Sequence, residues 1–183
     1  MSQPIETEVK FCVVDLPALR DQLLAQGAMI SEPRHLERNT LFDDAARSLT
    51  ARGLLLRLRS AIHTVITFKA PAPPDAQSAQ HKRRIEIETS VGDYDAAFAI
   101  FSALGYTPIW RYEKYRESFR LNDVHVTLDH TPIGDFVEIE GSPGAIRPVA
   151  ERLGFDWSER NLKTYRELYV EMKGTDQGNM IFE

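Results

Sequence analysis

Ile5-Glu6-Thr7-Glu8-Val9-Lys10-Phe11 is the stretch on which the fold turns. As a strand, its period of two puts Glu6, Glu8 and Lys10 on one face and Ile5, Thr7, Val9 and Phe11 on the other. The same arrangement recurs at Leu56-Arg57-Leu58-Arg59, Thr67-Phe68-Lys69, Lys82-Arg83-Arg84-Ile85-Glu86-Ile87-Glu88, Lys114-Tyr115-Arg116 and Phe136-Val137-Glu138-Ile139-Glu140. A single such strand is a solvated surface. Strand after strand with one apolar side and one ionised side of mixed sign calls for a common explanation.

Working outward, Asp15 caps a helix over residues 16–26 that ends at Gly27, with Pro17 in its first turn and Leu16, Leu19, Leu23 and Leu24 as its apolar stripe. Residues 29–42 are extended, with 35–42 the clearest strand, and Asp43-Asp44 opens a short turn or helix through Thr50. Segments 53–60 and 63–69 form a hairpin around Ala61-Ile62. Residues 70–80, with Pro71, Pro73 and Pro74, form a flexible loop and a candidate lid. A strand over 81–91 leads through Asp93 into a helix over 94–104 that stops at Gly105. Strand, Asp cap, helix and Gly thus occur twice, over 5–42 and 82–121, which points to a duplicated, pseudo-symmetric barrel. A meander follows over 110–121, 124–130 and 135–141, then helices over 144–153 and 161–173. Trp110, Phe98, Phe101 and Phe119 are core candidates. Residues 1–174 make one domain, and 175–183 a mobile tail.

The 183 residues, 43% hydrophobic, suffice for one full core, and the net charge of −5 argues against a nucleic-acid scaffold. Cys12, the only cysteine, excludes an intrachain disulfide and a cysteine-based zinc cluster, and its apolar neighbours predict a packing role. The start at Met1-Ser2-Gln3-Pro4 shows no basic-then-apolar leader, and no apolar run approaches about 20 residues. These features predict a cytoplasmic protein with no membrane partner. The five histidines, His35, His63, His81, His125 and His130, lack metal-ligand spacing such as HExxH and are assigned no catalytic part.

About eight strands with ionised residues on one face require that face to stay wet. A flat sheet backed by helices would allow it. So would a closed antiparallel barrel with a polar lumen and flanking helices, an α+β fold in which eight strands leave room for a ligand. The parity of the strands gathers Lys10, Arg57, Arg59, Lys69, Lys82, Arg84, Lys114 and Arg116 with Glu6, Glu8, Glu86, Glu88, Asp129, Glu138 and Glu140. Buried unpaired ions cost several kcal/mol each, so these groups must pair or bind water or a ligand. A polyanion with its divalent cation completes both sets: lysines and arginines take phosphate oxygens, and carboxylates take a hard ion such as Mg²⁺ or Mn²⁺. A triphosphate suits this inventory better than one phosphate.

Glu6-Thr7-Glu8-Val9-Lys10 matches the ExExK signature of the CYTH superfamily, and the chain resembles that family through Leu56-Arg57-Leu58-Arg59, Thr67-Phe68-Lys69, Ile85-Glu86-Ile87-Glu88, Lys114-Tyr115-Arg116, Leu128-Asp129, residues 134–141 and Thr164-Tyr165-Arg166-Glu167-Leu168. The resemblance implies a triphosphate tunnel of eight antiparallel strands and a metal-dependent enzyme. That enzyme would be either a triphosphatase, acting on inorganic, thiamine or nucleoside triphosphate, or a class IV adenylate cyclase. A binding module that has lost its chemistry is the non-enzymatic alternative. Expected metal ligands are Glu6, Glu8, Glu138 and Glu140, with Glu88 and Asp129 behind them. Expected phosphate ligands are Arg57, Arg59, Lys69 and Arg116, joined by Lys82 and Arg84. Lys10 and Lys114 bind phosphate or transfer protons. Tyr165 is a candidate to close one end of the tunnel. The expected partner is a triphosphate-containing small molecule, with homodimerisation left open. Nothing in the sequence resembles a base-specific pocket, which favours hydrolysis over cyclisation.

Overall fold

A computed structural model describes residues 5–183; Met1-Ser2-Gln3-Pro4, the stretch inspected for a leader, lies outside the described residues. The elements run β1 (Ile5–Val13), α1 (Leu16–Ala25), β2 (Met29–Asp43), α2 (Ser48–Ala51), β3 (Leu55–Ser60), β4 (Thr64–Pro71), β5 (Lys82–Val91), α3 (Tyr94–Ala103), β6 (Thr107–Leu121), β7 (Val124–Thr131), β8 (Gly134–Glu140), α4 (Pro143–Arg152) and α5 (Tyr165–Lys173), with a 3₁₀ turn at Trp157–Glu159.

Every strand pairing is antiparallel, and the ring closes in the order β1-β5-β4-β3-β2-β6-β7-β8. Exchanging β1–β4 for β5–β8 maps this order onto itself. The duplicated sequence pattern is therefore a two-fold symmetry of the strand order. Its two helices start alike: Asp15 accepts from the Ala18 N–H and Asp93 from the Ala96 N–H, each at 2.9 Å. Gly27 and Gly105 carry positive φ of 84° and 88° just past the helix ends, where a side chain would be strained.

The apolar core lies outside the barrel wall. Leu19 and Leu23 of α1 and Ile146, Val149 and Ala150 of α4 cover Val9, Phe11, Phe119, Val126, Leu128, Val137 and Ile139, the residues of opposite parity to the ionised set. On another side α3 seats Phe98 and Phe101 edge-on against Phe42, with ring centroids 5.3 and 5.1 Å apart. Trp110, Phe101 and Phe119 are buried as expected, and Phe98 partly so. With the helices outside, the ionised parity is left to the lumen. Among the described residues no helix is long and apolar enough to cross a membrane.

Four expectations change. β2 is one strand from Met29, kept continuous past Pro33 by register shifts between Ile30 and Glu32 and between Glu32 and His35; such bulges accommodate a proline that cannot donate. The last helix begins at Tyr165, where Thr164 and Glu167 form a capping box, while Asn161 pairs with Lys10 through backbone hydrogen bonds of 3.0 and 2.7 Å. Cys12 is exposed and not a packing residue: it has the parity of Lys10, and the apolar Phe11 and Val13 beside it face the other way. Residues 175–183, read as a mobile tail, fold back. Met180 is buried, its N–H donates to the Arg111 carbonyl and its own carbonyl accepts from the Glu113 N–H, while Phe182 stacks on His130.

The proline-containing loop is likewise tied down. The Trp157 indole donates to Gln80 Oε1 at 3.2 Å, Arg160 donates to the Gln80 carbonyl at 3.1 Å, and Arg83 pairs with Asp75. None of residues 72–80 lines the lumen cavity, which runs against the lid reading.

Candidate active site

One cavity of about 1040 Å³ occupies the lumen. Its wall includes every predicted phosphate ligand, Lys10, Arg57, Arg59, Lys69, Lys82, Arg84, Lys114 and Arg116, and the acids Glu6, Glu8, Glu86, Glu88, Glu138 and Glu140. Strand alternation is sufficient cause: β1, β3, β4, β5, β6 and β8 each turn one parity inward. Asp129 is the exception among the predicted residues. It has lumen parity but is fully buried beneath the cavity lining, and its carboxylate accepts from Lys114 Nζ at 3.0 Å, from Arg116 Nε and Nη2 at 2.7 and 2.5 Å, and from the Tyr165 hydroxyl at 2.5 Å. Those bonds use its lone pairs. In this arrangement it anchors two cations.

The other acids face cations across the lumen. Glu6 pairs with Lys69 at 2.6 Å and Glu8 with Lys82 at 2.6 Å, Glu138 bridges Lys10 and Arg116, and Glu88 meets Arg57 at 3.2 Å and the Thr67 hydroxyl at 2.5 Å. Burial alone would raise the Glu8 carboxyl, but Lys82 and the other lysines nearby hold it down to about 2. Glu138 is likewise held well below the usual carboxylate range by Lys10, Arg116 and Lys114, against its burial. Burial opposes the charge on Arg57 and Arg116 as well, and their phenol and carboxylate partners outweigh it, keeping both cationic.

The balance fails at one place. Glu140 forms no ion pair among the described residues, and Glu86 shares Lys69, at 3.2 Å, with Glu6. Burial, together with Glu6 and Glu8, pushes Glu140 up to about 7; burial, only partly offset by Lys69, does the same to Glu86. Glu8 and Glu140 are direct partners in the β1–β8 register. Among the described residues no three His, Cys, Asp or Glu side chains already stand in metal-binding geometry. The surplus of oxygen donors short of positive charge is nonetheless the chemistry that a hard divalent cation satisfies.

The raised Glu140 pKa has a consequence for stability. The folded protein binds this proton more tightly than the unfolded chain, so the group favours folding below its ordinary pKa of 4.5 and that contribution is lost as pH rises through about 7. Glu140 is partly open to solvent, which screens its charge, so in metal-free buffer Glu140→Gln is expected to melt no more than roughly 2–4 °C above wild type at about pH 8 and level with it at about pH 5. Thermal denaturation at both pH values checks this, and an equal shift at both would exclude a Glu140 titration.

Residues missed by the sequence reading stand in and beside the wall. Glu37, only 1% exposed, pairs with Arg59 at 2.9 Å and lies 3.7 Å from Lys114. Its place between Leu36 and Arg38, in a stretch polar on both faces, gave no parity signal. The Tyr112 phenol accepts from Arg57 at 3.1 Å. Tyr165, hinted at by its motif, is buried from α5, with its ring 4.2 Å from Lys10 Nζ and 5.0 Å from Lys114 Nζ. With Tyr169 and Met180 it packs on Trp110, Tyr112 and Phe136, closing part of the lumen. Lys163 and Arg166 also line the cavity. Arg84 has no carboxylate partner among the described residues and donates to the Gly53 and Ala70 carbonyls at 2.7 and 3.2 Å.

A family model described as the CYTH domain matches residues 4–177. The chain belongs to the CYTH family. A Methanocaldococcus jannaschii relative, provisionally named an adenylate cyclase, is 26% identical over 180 residues, covering 93% of this chain and 99% of that one. The solved structure of a Vibrio parahaemolyticus protein with the same provisional name superposes with a TM-score of 0.80 at 20% identity, covering 92% of this chain and 99% of that one. A Hippeastrum protein, provisionally an adenylyl cyclase and described as having a dominant triphosphatase activity, superposes with a TM-score of 0.60 at 14% identity, over 93% and 95% of the two chains. Both superpositions place this CYTH barrel among known folds.

Proposed function

We propose that this CYTH protein is a divalent-metal-dependent phosphohydrolase that removes the terminal phosphoryl group of an organic triphosphate bound in the lumen. The observation that carries the reading is the convergence of Lys10, Arg57, Arg59, Lys69, Lys82, Arg84, Lys114 and Arg116 on one cavity. A chain of three phosphates can reach cations spread over several strands, whereas one phosphate would leave most of them facing only carboxylates. Arg57, Arg59 and Arg116 offer planar forks to phosphate oxygens, and Lys10 and Lys114 lie where they neutralise charge that develops during transfer.

Glu6, Glu8, Glu138 and Glu140, with Glu88 beside Arg57, are the ligands we assign to Mg²⁺ or Mn²⁺; Asp129 holds Lys114 and Arg116 in place. The ion, when bound, supplies charge neutralisation and polarisation of phosphoryl oxygens.

Part of the cavity wall is apolar: Leu41, Leu54, Leu55, Ile109, Trp110 and Val170. The register sets this lobe directly beside the cations, Leu41 opposite Arg57 and Leu55 opposite Lys69. The buried Trp110 Nε1–H has no acceptor among the described residues. An inorganic triphosphate has nothing to put there, and a flat heterocycle bearing an acceptor does. This lobe, unforeseen from the sequence, also accommodates a nucleotide, and with the name of the archaeal relative it keeps adenylate cyclisation as the second reading.

Product analysis separates the readings. With Mg²⁺ or Mn²⁺, thiamine triphosphate and ATP are expected to yield orthophosphate and the diphosphate, faster than tripolyphosphate is cleaved. Pyrophosphate with cyclic AMP from ATP would assign the cyclase instead. Tight binding without product would leave a binding module.

A further inference from the structure

A second, smaller opening of about 280 Å³ meets the lumen at Arg59 and Glu88, lined among others by Glu37, His35, His63 and Ser90. Along β3 the lumen-facing order is Leu55, Arg57, Arg59, so the apolar lobe and this opening sit at opposite ends of that face. Buried polar atoms without partners gather between them. Glu37 Oε2, Arg59 Nε and both amide atoms of Asn39 have no hydrogen-bond partner among the described residues, and Asn39 is paired in register with Arg59 and Tyr112. Buried polar groups are nearly always satisfied, so such a cluster marks where water or ligand atoms belong. Glu37 Oε1 is occupied by Arg59 Nη1 at 2.9 Å; Oε2 stands 3.7 Å from Lys114 Nζ, beyond hydrogen-bond range, and is free to accept.

We propose that Glu37 is a catalytic residue that holds the attacking water for terminal phosphoryl transfer, the water arriving through the 280 Å³ opening while the organic end of the substrate lies at the other end of the lumen. The inference rests on the triphosphatase reading above. A substrate whose organic group occupies the Leu55 side extends its terminal phosphate towards Arg59 and Lys114. A water on Glu37 Oε2 then lies beyond that phosphorus, on the side away from the leaving diphosphate, as in-line displacement requires. The water oxygen bonds to the terminal phosphorus, and the bond from that phosphorus to its bridging oxygen breaks, its electron pair leaving on the diphosphate. The water proton passes to Glu37 Oε2 and on to solvent in the opening. Glu37 is anionic in the resting protein: burial opposes its charge, but Lys114, Arg116, His35 and Arg59 together hold it well below the usual carboxylate range. It is thus an acceptor that orients water, a task suited to a loose transition state that needs little proton abstraction.

Glu37→Gln is the test. Its kcat is expected to fall by about 10²-fold or more, with KM changed by less than about threefold, since substrate contacts remain. Glu37→Asp, which keeps the charge for Arg59 and Lys114 but withdraws the oxygen, is expected to lose roughly tenfold with KM kept. A merely structural Glu37 would loosen Arg59 and Lys114 and appear as raised KM in both variants. Wild type in ¹⁸O-labelled water is expected to place the label in orthophosphate. Label in the diphosphate product, kcat of either variant within about threefold of wild type, or losses confined to KM would overturn the proposal. Wild type inert towards every triphosphate would instead overturn the triphosphatase reading, and this inference with it.

Discussion

Asp129→Asn is expected to lower folding stability by about 3–5 kcal/mol, the range for removing one partner of a buried ionic network. Asp129 is fully buried, and two cations and a phenol converge on it: Lys114, Arg116 and the Tyr165 hydroxyl. The amide is close in shape, so little packing is lost. What changes is charge: Lys114 keeps only Glu37, at 3.7 Å, and Arg116 keeps only Glu138. One carboxylate oxygen becomes an NH₂ donor, so Lys114, Arg116 and the Tyr165 hydroxyl that ties α5 to the barrel compete for a single neutral acceptor. A domain of this size has roughly 5–15 kcal/mol of net stability in total, so the variant should stand near its threshold. Urea denaturation measures it directly. A loss below about 1 kcal/mol would mean that water already reaches and solvates this cluster.

Glu8→Gln is expected to reduce turnover at saturating substrate by about 10²–10³-fold, comparable with loss of one preorganised charge-stabilising group. Glu8 lies opposite Glu140 in register, the carboxylate left short of positive charge, so the two oxygens stand where a divalent ion would be held. The substitution also frees Lys82, its partner at 2.6 Å, to meet phosphate, so substrate affinity should be kept while turnover collapses. Steady-state kinetics over a titration of Mg²⁺ and Mn²⁺ check this. Turnover equal to wild type at saturating metal would remove Glu8 from the metal site.

Most of the barrel was legible because a strand writes its two faces at a period of two: β1, β3, β5, β6 and β8 each repeat charges at one parity, and β4 adds Lys69. The ring order itself is prefigured in the repeated Asp cap and Gly stop around α1 and α3. What was hidden depended on three dimensions. Asp129 has the right parity, but whether it lines the cavity or lies beneath its lining depends on Tyr165 arriving from α5. Glu37 belongs to a stretch polar on both faces, so alternation could not orient it. The apolar lobe draws on β2, β3, β6 and α5 and the turn before β3, segments that no sequence pattern links. The start of α5 was misplaced for a local reason: Asn161 and Leu162 extend the helical spacing of Tyr165 and Leu168, while the Thr164–Glu167 capping box overrides it.

We propose above that the lumen ions receive a triphosphate together with a divalent cation. Calorimetric titration of wild type with thiamine triphosphate or ATP, against orthophosphate, in the presence and absence of Mn²⁺ tests it most directly. Triphosphate affinity is expected to stand at least about 100-fold above that of orthophosphate, and to be largely lost on metal removal. Equal affinity for the two, or binding indifferent to Mn²⁺, would contradict it.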